Sequence, residues 1–355
     1  MTTGAMSGRS GLLCRPPAAC VVARAVKGPR QPGMQSGFAL IVVLWAAALL
    51  SVIAASFALS MREETRLAEN LMARARAEAV ADAGIRRGIL ALLADRPGPG
   101  REGDGLLYEV PFAGGSMRIR MVSENGKIDL NGAPEGLIHG LLQSLVGSGA
   151  LADAGQAARV ADAILDWRDG DHWVRTWGAE DQTYAAKNAP LGARDGPFLS
   201  VAELNLVHGV DARVFAQLAP WVTVYSGSAQ VDPMTAPRTV LLAIPGLDRD
   251  GVDDFIAMRN AWRADQSAAH GGAAQSLGGW PRGMSLESLS PGARYLSPTH
   301  ARVYTVDAVG VSPGGTRASR RAVVQLTGER RRPYTVIAWF DAIPDAEADT
   351  LARNP

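Results

Sequence analysis

The sequence predicts an α+β protein in which a long N-terminal helix, membrane-spanning in its first part, packs on an antiparallel sheet that a large α-helical domain interrupts. Three observations carry that prediction. An uncharged apolar run passes directly into a stretch of helical period; β-rich runs stand at both ends of the remaining chain; and the middle between them is helical in character and carries an internal repeat.

No charge occurs from Phe38 to Met61, and the 22 residues from Phe38 to Leu59 rise about 33 Å as a helix, the thickness of a bilayer's hydrocarbon. Five basic residues, Arg9, Arg15, Arg24, Lys27 and Arg30, precede Gly37, and no acid does. Glu63 and Glu64 follow the run, so the positive-inside rule places the N-terminus in the cytoplasm and everything downstream on the far side of the membrane. A cleavable signal peptide has a shorter apolar stretch with its small-residue cleavage site after it, which "AASFALSMRE" imitates only weakly. Beyond the span, Leu67, Leu71, Ala75, Val80, Ile85, Ile89 and Leu93 approximate a 3.6-residue stripe, and "ADRPGPG" stops it. One rod of about 87 Å is expected.

"LLYEVPF" and "SMRIRMV" flank "AGG" with alternating polarity, the pattern of a hairpin. "ARVYTVDAVGV", "SRRAVVQLT" and "YTVIAWF" are strand-like runs separated by turn material. Two-stranded fragments are marginal alone, so the two ends are expected to share one sheet. The resulting organisation is a basic leader at 1–37, an N-terminal helix at 38–97 with its span at 38–59, first strands at 98–128, an inserted helical domain at 129–299, closing strands at 300–342 and a tail at 343–355. Within the insertion "KIDLNGAPEGLIHGLL" aligns with "QVDPMTAPRTVLLAI". Each has Asp129 or Asp232 holding a turn, then Pro134 or Pro237 in a first helical turn where a missing N–H does no harm, so two related subdomains are expected. Six of the 8 tryptophans, Trp167, Trp173, Trp177, Trp221, Trp262 and Trp280, fall in this insertion and are expected in its core.

The 355 residues carry a net charge of +1, and removal of 1–37 leaves 31 Lys+Arg against 35 Asp+Glu, a balance without the basic footprint that nucleic acid requires. Both cysteines, Cys14 and Cys20, precede Gly37, which excludes a disulfide or thiolate site downstream. The densest polar cluster is "ILDWRDGDHWVRTWGAEDQTY", in which Asp166, Asp169, Asp171, Glu180 and Asp181 lie close together and Gly170 and Gly178 allow the backbone to turn carboxylates toward one point. Hard oxygen donors without Cys suit a structural Ca²⁺, which accepts 6 to 8 oxygens in flexible geometry. The competing reading is a solvated acidic turn with Arg168 and Arg175 as partners. The histidines never stand at metal spacing with one another, and no G-x-S-x-G elbow, P-loop or dinucleotide fingerprint occurs, so no enzyme is expected. "LLAIPGLDRDGVDDFIAMRNAW" is similar to helix-hairpin-helix DNA-binding motifs, with "LNLVHGVDARVFAQLAPWVTV" a weaker second copy. A membrane-anchored DNA receptor of a type IV pilus or competence system is the alternative function they suggest. Asp248 stands where the hairpin's second Gly belongs, and Asp250, Asp253 and Asp254 follow it, which opposes phosphate.

The Gly37-Phe38 junction ahead of an apolar run resembles the signal of type IV pilins and type II secretion pseudopilins, in which a prepilin peptidase cuts after Gly and methylates the new N-terminal residue. With "SENGKIDLNGAP", "ILDWRDGDHW", "GAEDQTY", "FLSVAELNLVHGV" and "APRTVLLAIPGL" in order, the chain resembles the K-type minor pseudopilin, general secretion pathway protein K. The resemblance implies a type IV pilin-like fold with an inserted SAM-like or helix-hairpin-helix-like domain, and Phe38 as the methylated residue. It also implies partners in the I and J minor pseudopilins, prepilin peptidase and the inner-membrane secretion platform, a calcium-binding loop in some members, and a single-pass inner-membrane protein with a periplasmic C-terminal domain. Most pilins carry Glu at the fifth mature position, where this chain has Val42, and its absence implies a place at the filament tip with no subunit above. The implied function is non-enzymatic: nucleating and capping the pseudopilus for protein export across the outer membrane.

Overall fold

A computed structural model describes residues 36–94, 104–147, 149–186, 192–268, 290–297 and 302–343. Most of the leader, the Gly-rich joint up to 103, Trp280 and the tail from 344 lie outside the described residues. The chain divides into two compact units, Met1–Thr65 and Arg66–Pro355. Helix α1 (Ser36–Leu93) runs through the division. In the first unit its side chains from Phe38 onward are exposed all round, Leu40, Leu44, Trp45, Leu49 and Phe57 among them. By length and composition it is, among the described residues, the helix able to cross a membrane, and an all-round apolar surface is what a segment solvated by lipid requires.

The second unit is built on strands β1 (Asp104–Phe112), β2 (Gly115–Ser123), the short β3 (Ile128–Asp129) and β4 (Val222–Thr223), then β5 (Val303–Val311), β6 (Arg317–Leu326) and β7 (Tyr334–Phe340). Five of them form an antiparallel sheet in the order β1-β2-β5-β6-β7. The β1–β2 turn has positive φ at both central residues, Ala113 at 50° and Gly114 at 78°, the twist that a two-residue hairpin needs. β2 and β5 pair directly, with Ser123 opposite Tyr304, so the helical middle is an insertion between neighbouring strands, as expected. Its limits differ slightly from the expected 129–299: β2 ends at Ser123, β5 begins at Val303, and Ile128–Asp129 belongs to the insertion, paired in parallel with Val222–Thr223.

The C-terminal part of α1 lies on the sheet through Ala77, Val80, Ala81, Ile85, Ile89 and Leu92, against Met117, Ile119, Met121, Val306 and Ala308. Only the second half of the anticipated stripe is buried; Leu67, Leu71 and Ala75 are exposed. The true contact face is small-residue rich. A Cβ on Gly88 would stand 2.6 Å from Val306 Cγ1, one on Gly84 2.9 Å from Ala308 Cβ, and one on Gly310 would collide with the Ala77 carbonyl. Backbone therefore meets backbone, which an aliphatic-only periodicity does not register. Arg320 on β6 ties the edge of this contact, 3.2 Å from Asp82 and 3.4 Å from Glu78. On the opposite sheet face Asp307 is fully buried between Arg321, at 2.6 Å, and Arg120, at 2.8 Å.

The insertion holds α2 (Glu135–Ser144), α3 (Ala154–Arg168), α4 (Asp181–Ala186), α5 (Ala212–Leu218), α6 (Arg238–Leu242) and α7 (Arg249–Ala268). It has its own core, with Ile128, Leu137, Leu141, Ile164, Leu218, Val240 and Phe255 among its buried members. The internal repeat extends to individual hydrogen bonds. Asp129 Oδ1 accepts from the amides of Asn131 and Gly132, and Asp232 Oδ1 from Met234, closing each Asp-initiated turn. In each copy an arginine from the following long helix donates to the carbonyls one and four residues after the aspartate. Arg168 reaches Leu130 O and Ala133 O at 2.6 and 2.8 Å; Arg259 reaches Pro233 O and Ala236 O at 2.8 and 2.7 Å. Both arginines have their pKa lowered by burial, Arg259 to about 10. The residue before each aspartate also makes a parallel bridge, Ile128 with Val222 and Val231 with Leu296. The sheet and the insertion are joined at Glu124–Gly126, where buried Glu124 accepts from Thr305 Oγ1 at 2.7 Å and Lys127 Nζ at 2.8 Å.

The tryptophan expectation holds in part. Trp167 is buried against Tyr184 and Phe198, with ring centroids 5.7 and 6.3 Å away. Trp221 and Trp262 are half-buried, whereas Trp173 and Trp177 are exposed, because their backbone amides are held by carboxylates in a loop too polar to sink.

Candidate metal centre

Helix α3 starts on Asp153, whose side chain accepts from the Gln156 amide at 2.7 Å, and carries a run of buried residues from Val160 to Trp167. Two carboxylates, Asp162 and Asp166, interrupt that apolar run one turn apart on the same face. One oxygen of each is held by the returning loop. Asp162 Oδ2 accepts from the Trp177 amide at 3.0 Å, and Asp166 Oδ2 from those of Arg175 and Ala179 at 3.2 and 2.9 Å. Gly178 is required for this approach, since a Cβ there would strike Asp166 Oδ2.

Beside this anchor Asp166, Asp169 and Asp195 lie close enough to Glu180 for their charges to act on it, and His172 Nδ1 is 3.4 Å from Asp195 Oδ2. The donor atoms of His172, Glu180 and Asp195 lie within 4.8 Å of one another. Both oxygens of Glu180, and Oδ1 of Asp166, Asp169 and Asp195, are buried without a hydrogen-bond partner among the described residues. Arg175 is the facing cation, 3.3 Å from Asp169 and 3.6 Å from Asp166. Arg175 thus pairs with two of the four carboxylates. Burial, then the charges of Asp166, Asp195 and Asp169, push Glu180 up to about 7. Burial also raises Asp166 and Asp169, against the pull of backbone amides and Arg175.

Of the residues the sequence nominated, Asp166, Asp169 and Glu180 meet. Asp171 and Asp181 do not. Asp171 Oδ1 is spent on its own turn, accepting from the Trp173 amide at 2.8 Å, and Asp181 Oδ1 accepts from the Ala193 amide at 3.0 Å. Asp181 fastens the incoming segment that delivers Asp195, the member of the cluster that sequence reasoning missed. The available signal was the Asp195-Gly196 pair, like Asp169-Gly170 an acid beside a turn residue; Asp195 has φ 51°. Arg175 serves as the partner anticipated for an acidic turn, while Arg168 is turned away into the repeat contact. Orphaned carboxylate oxygens from four residues, with imidazole only at the edge, fit a hard cation such as Ca²⁺.

The two helix-hairpin-helix-like segments end in capped helices. Asp248 Oδ1 accepts from the Gly251 amide at 3.2 Å at the start of α7, and Asp211 Oδ1 from Arg213 and Val214 at 2.9 and 2.8 Å at the start of α5. Carboxylates hold the positions that a phosphate would take.

The family model for type II secretion system protein K, first domain, matches residues 121–227. Type II secretion system protein K of Aeromonas hydrophila is 35% identical over 103 residues, 28% of this chain and 31% of that protein. The protein of the same name from Pectobacterium carotovorum subsp. carotovorum is 33% identical over 67 residues, 19% of this chain and 20% of that one. These matches therefore span about a third or less of the relatives' lengths. A chain in the crystal structure of the GspK-GspI-GspJ complex from enterotoxigenic Escherichia coli aligns over 80% of this chain and 99% of its own, at 17% identity and a TM-score of 0.49. The matched segment runs from β2 through α3, the acidic loop and β4, and over it this chain is similar to protein K of type II secretion systems.

Proposed function

We propose that the chain is a non-enzymatic minor pseudopilin of a type II secretion system. It is anchored in the inner membrane by residues 38–59, with its C-terminal domain in the periplasm, and works at the pseudopilus tip with I- and J-type subunits. The observation that carries this reading is α1. One helix presents an all-apolar surface in its first part and a sheet-packing face of small residues in its second, attached to a segment of the protein K family. That combination supports a subunit that assembles through its helix, with the exposed Leu67, Leu71 and Met72 available to sibling helices. Prepilin peptidase cuts between Gly37 and Phe38 and methylates Phe38. Val42 in place of an acid ends the helix-to-helix pairing that would admit a further subunit. A structural Ca²⁺ at Asp166, Asp169, Glu180 and Asp195 would neutralise the acidic loop and fix it to α3.

Complementation of a deletion strain tests the reading. The wild-type chain is expected to restore export of the secreted proteins, and Gly37→Val, which blocks cleavage, to fail. Val42→Glu is expected to lengthen the pseudopilus and reduce export. Full export by the deletion strain itself overturns the secretion role; unchanged filament length with Val42→Glu overturns the capping role alone.

A further inference from the structure

A second cluster of metal-binding side chains lies on the other side of Asp162. Glu135 and His139 stand one turn apart on α2, and Asp162 faces them from α3. His139 Nε2 is 3.0 Å from Asp162 Oδ1 and 3.7 Å from Glu135 Oε1, and the three donor atoms lie within 4.8 Å of one another. Tetrahedral zinc with bonds of about 2.0–2.1 Å places neighbouring ligand atoms about 3.4 Å apart, and the two observed separations straddle that value.

Asp162 is the residue that packing alone does not explain. Its side chain is 8% exposed between Ala161 and Ala163, which are fully buried, and among the described residues no lysine or arginine forms an ion pair with it. His139 carries a charge only when protonated. One backbone hydrogen bond and the contact with His139 thus serve a buried carboxylate that lacks a permanent counter-charge, an arrangement that is costly unless a cation completes it. The amide of Trp177 meanwhile holds Asp162 Oδ2 and orients Oδ1 toward His139, as outer-shell hydrogen bonds do for metal-bound carboxylates. Glu135 is exposed and His139 a third exposed, so the open side has room for a water as fourth ligand.

We propose that Glu135, His139 and Asp162 bind a first-row transition-metal ion of the zinc type, at a site separate from the carboxylate-rich cluster around Glu180. One imidazole nitrogen with two carboxylates suits zinc or cobalt and is a poor set for calcium. The bound ion clamps α2 to α3. Through Asp162 it also fixes the loop whose Arg175 and Ala179 amides hold Asp166, so occupancy of this site stiffens one wall of the acidic cluster.

The test uses the full chain in detergent micelles, stripped with chelator and titrated with Co²⁺, whose visible absorption reports tetrahedral nitrogen and oxygen ligation, followed by Zn²⁺ displacement. One tetrahedral site is expected, retained in excess Ca²⁺ and in His172→Gln, lost in His139→Gln, and weakened about tenfold or more in Glu135→Gln. Glu135 is exposed, so that variant remains informative if His139→Gln fails to fold. Absence of a tetrahedral spectrum, its loss in His172→Gln, or its survival in both His139→Gln and Glu135→Gln would overturn the assignment.

Discussion

Glu180 carries a charge problem that composition could only suggest. Its two oxygens are buried without partners among the described residues, and three other carboxylates crowd it. Removing its charge while keeping its shape is therefore expected to raise the melting temperature of the chelator-treated chain. Ca²⁺ should raise the melting temperature of the wild type by several degrees, since a ligand bound only by the native state stabilises it, and leave Glu180→Gln nearly unmoved. Equal responses of the two chains, followed by scanning fluorimetry, would remove calcium from the account. Asp307 is the opposite case, a buried acid fully paired. Burial alone would raise its pKa, but hydrogen bonds and charge from Arg321 and Arg120 hold it below the usual carboxylate range. A group depressed in the folded state stabilises above its unfolded pKa of about 3.9 and loses that contribution as pH falls through the folded value. Asp307→Asn is expected to cost about 3–5 kcal/mol at pH 7, because it removes the buried charge with which Arg321 and Arg120 both pair. The gap from wild type should narrow only below about pH 4, as read from denaturant midpoints.

At the scale of elements, the contact of α1 with the sheet depends on residues that have no side chain to offer. Gly84 and Gly88 let the helix approach Ala308 and Val306, and Gly310 lets β5 approach the helix backbone at Ala77 and Ala81. Gly310→Ala is expected to destabilise the second unit by about 1–3 kcal/mol, since neither neighbour is a flexible side-chain end that could yield. Gly314→Ala, where a Cβ meets nothing within 4 Å, is the matched control and should be near neutral by thermal melting. The helices of the insertion follow a different logic. Each copy of its Asp-turn is roofed by an arginine from the next long helix, Arg168 or Arg259, so a turn that alone would be marginal is tied to the core behind it.

For the whole molecule, local chemistry was legible and long-range convergence was not. The apolar run at 38–59, the alternating strands and the Asp–Ala-Pro repeat each follow from periodicity or from turn residues within a dozen positions, and all appear where expected. The end-strands' common sheet was inferable too, because neither pair is stable alone. Sequence proximity failed at the acidic loop. Asp171 and Asp181 lie as near Asp166 along the chain as their neighbours do, yet an oxygen of each is used by a backbone amide, and Asp195 arrives from beyond α4. The exposed Trp173 and Trp177, and the meeting of Glu135 and His139 with Asp162, had no sequence signal at all, since they depend on how α2 and α3 cross. By itself the sequence determined which segments are helix or strand and which run is apolar enough to cross a membrane, because backbone propensity and solvent preference are properties of short stretches. Only the tertiary structure decided which carboxylates share a charge problem, because that depends on distances of a few ångströms between residues far apart in the chain.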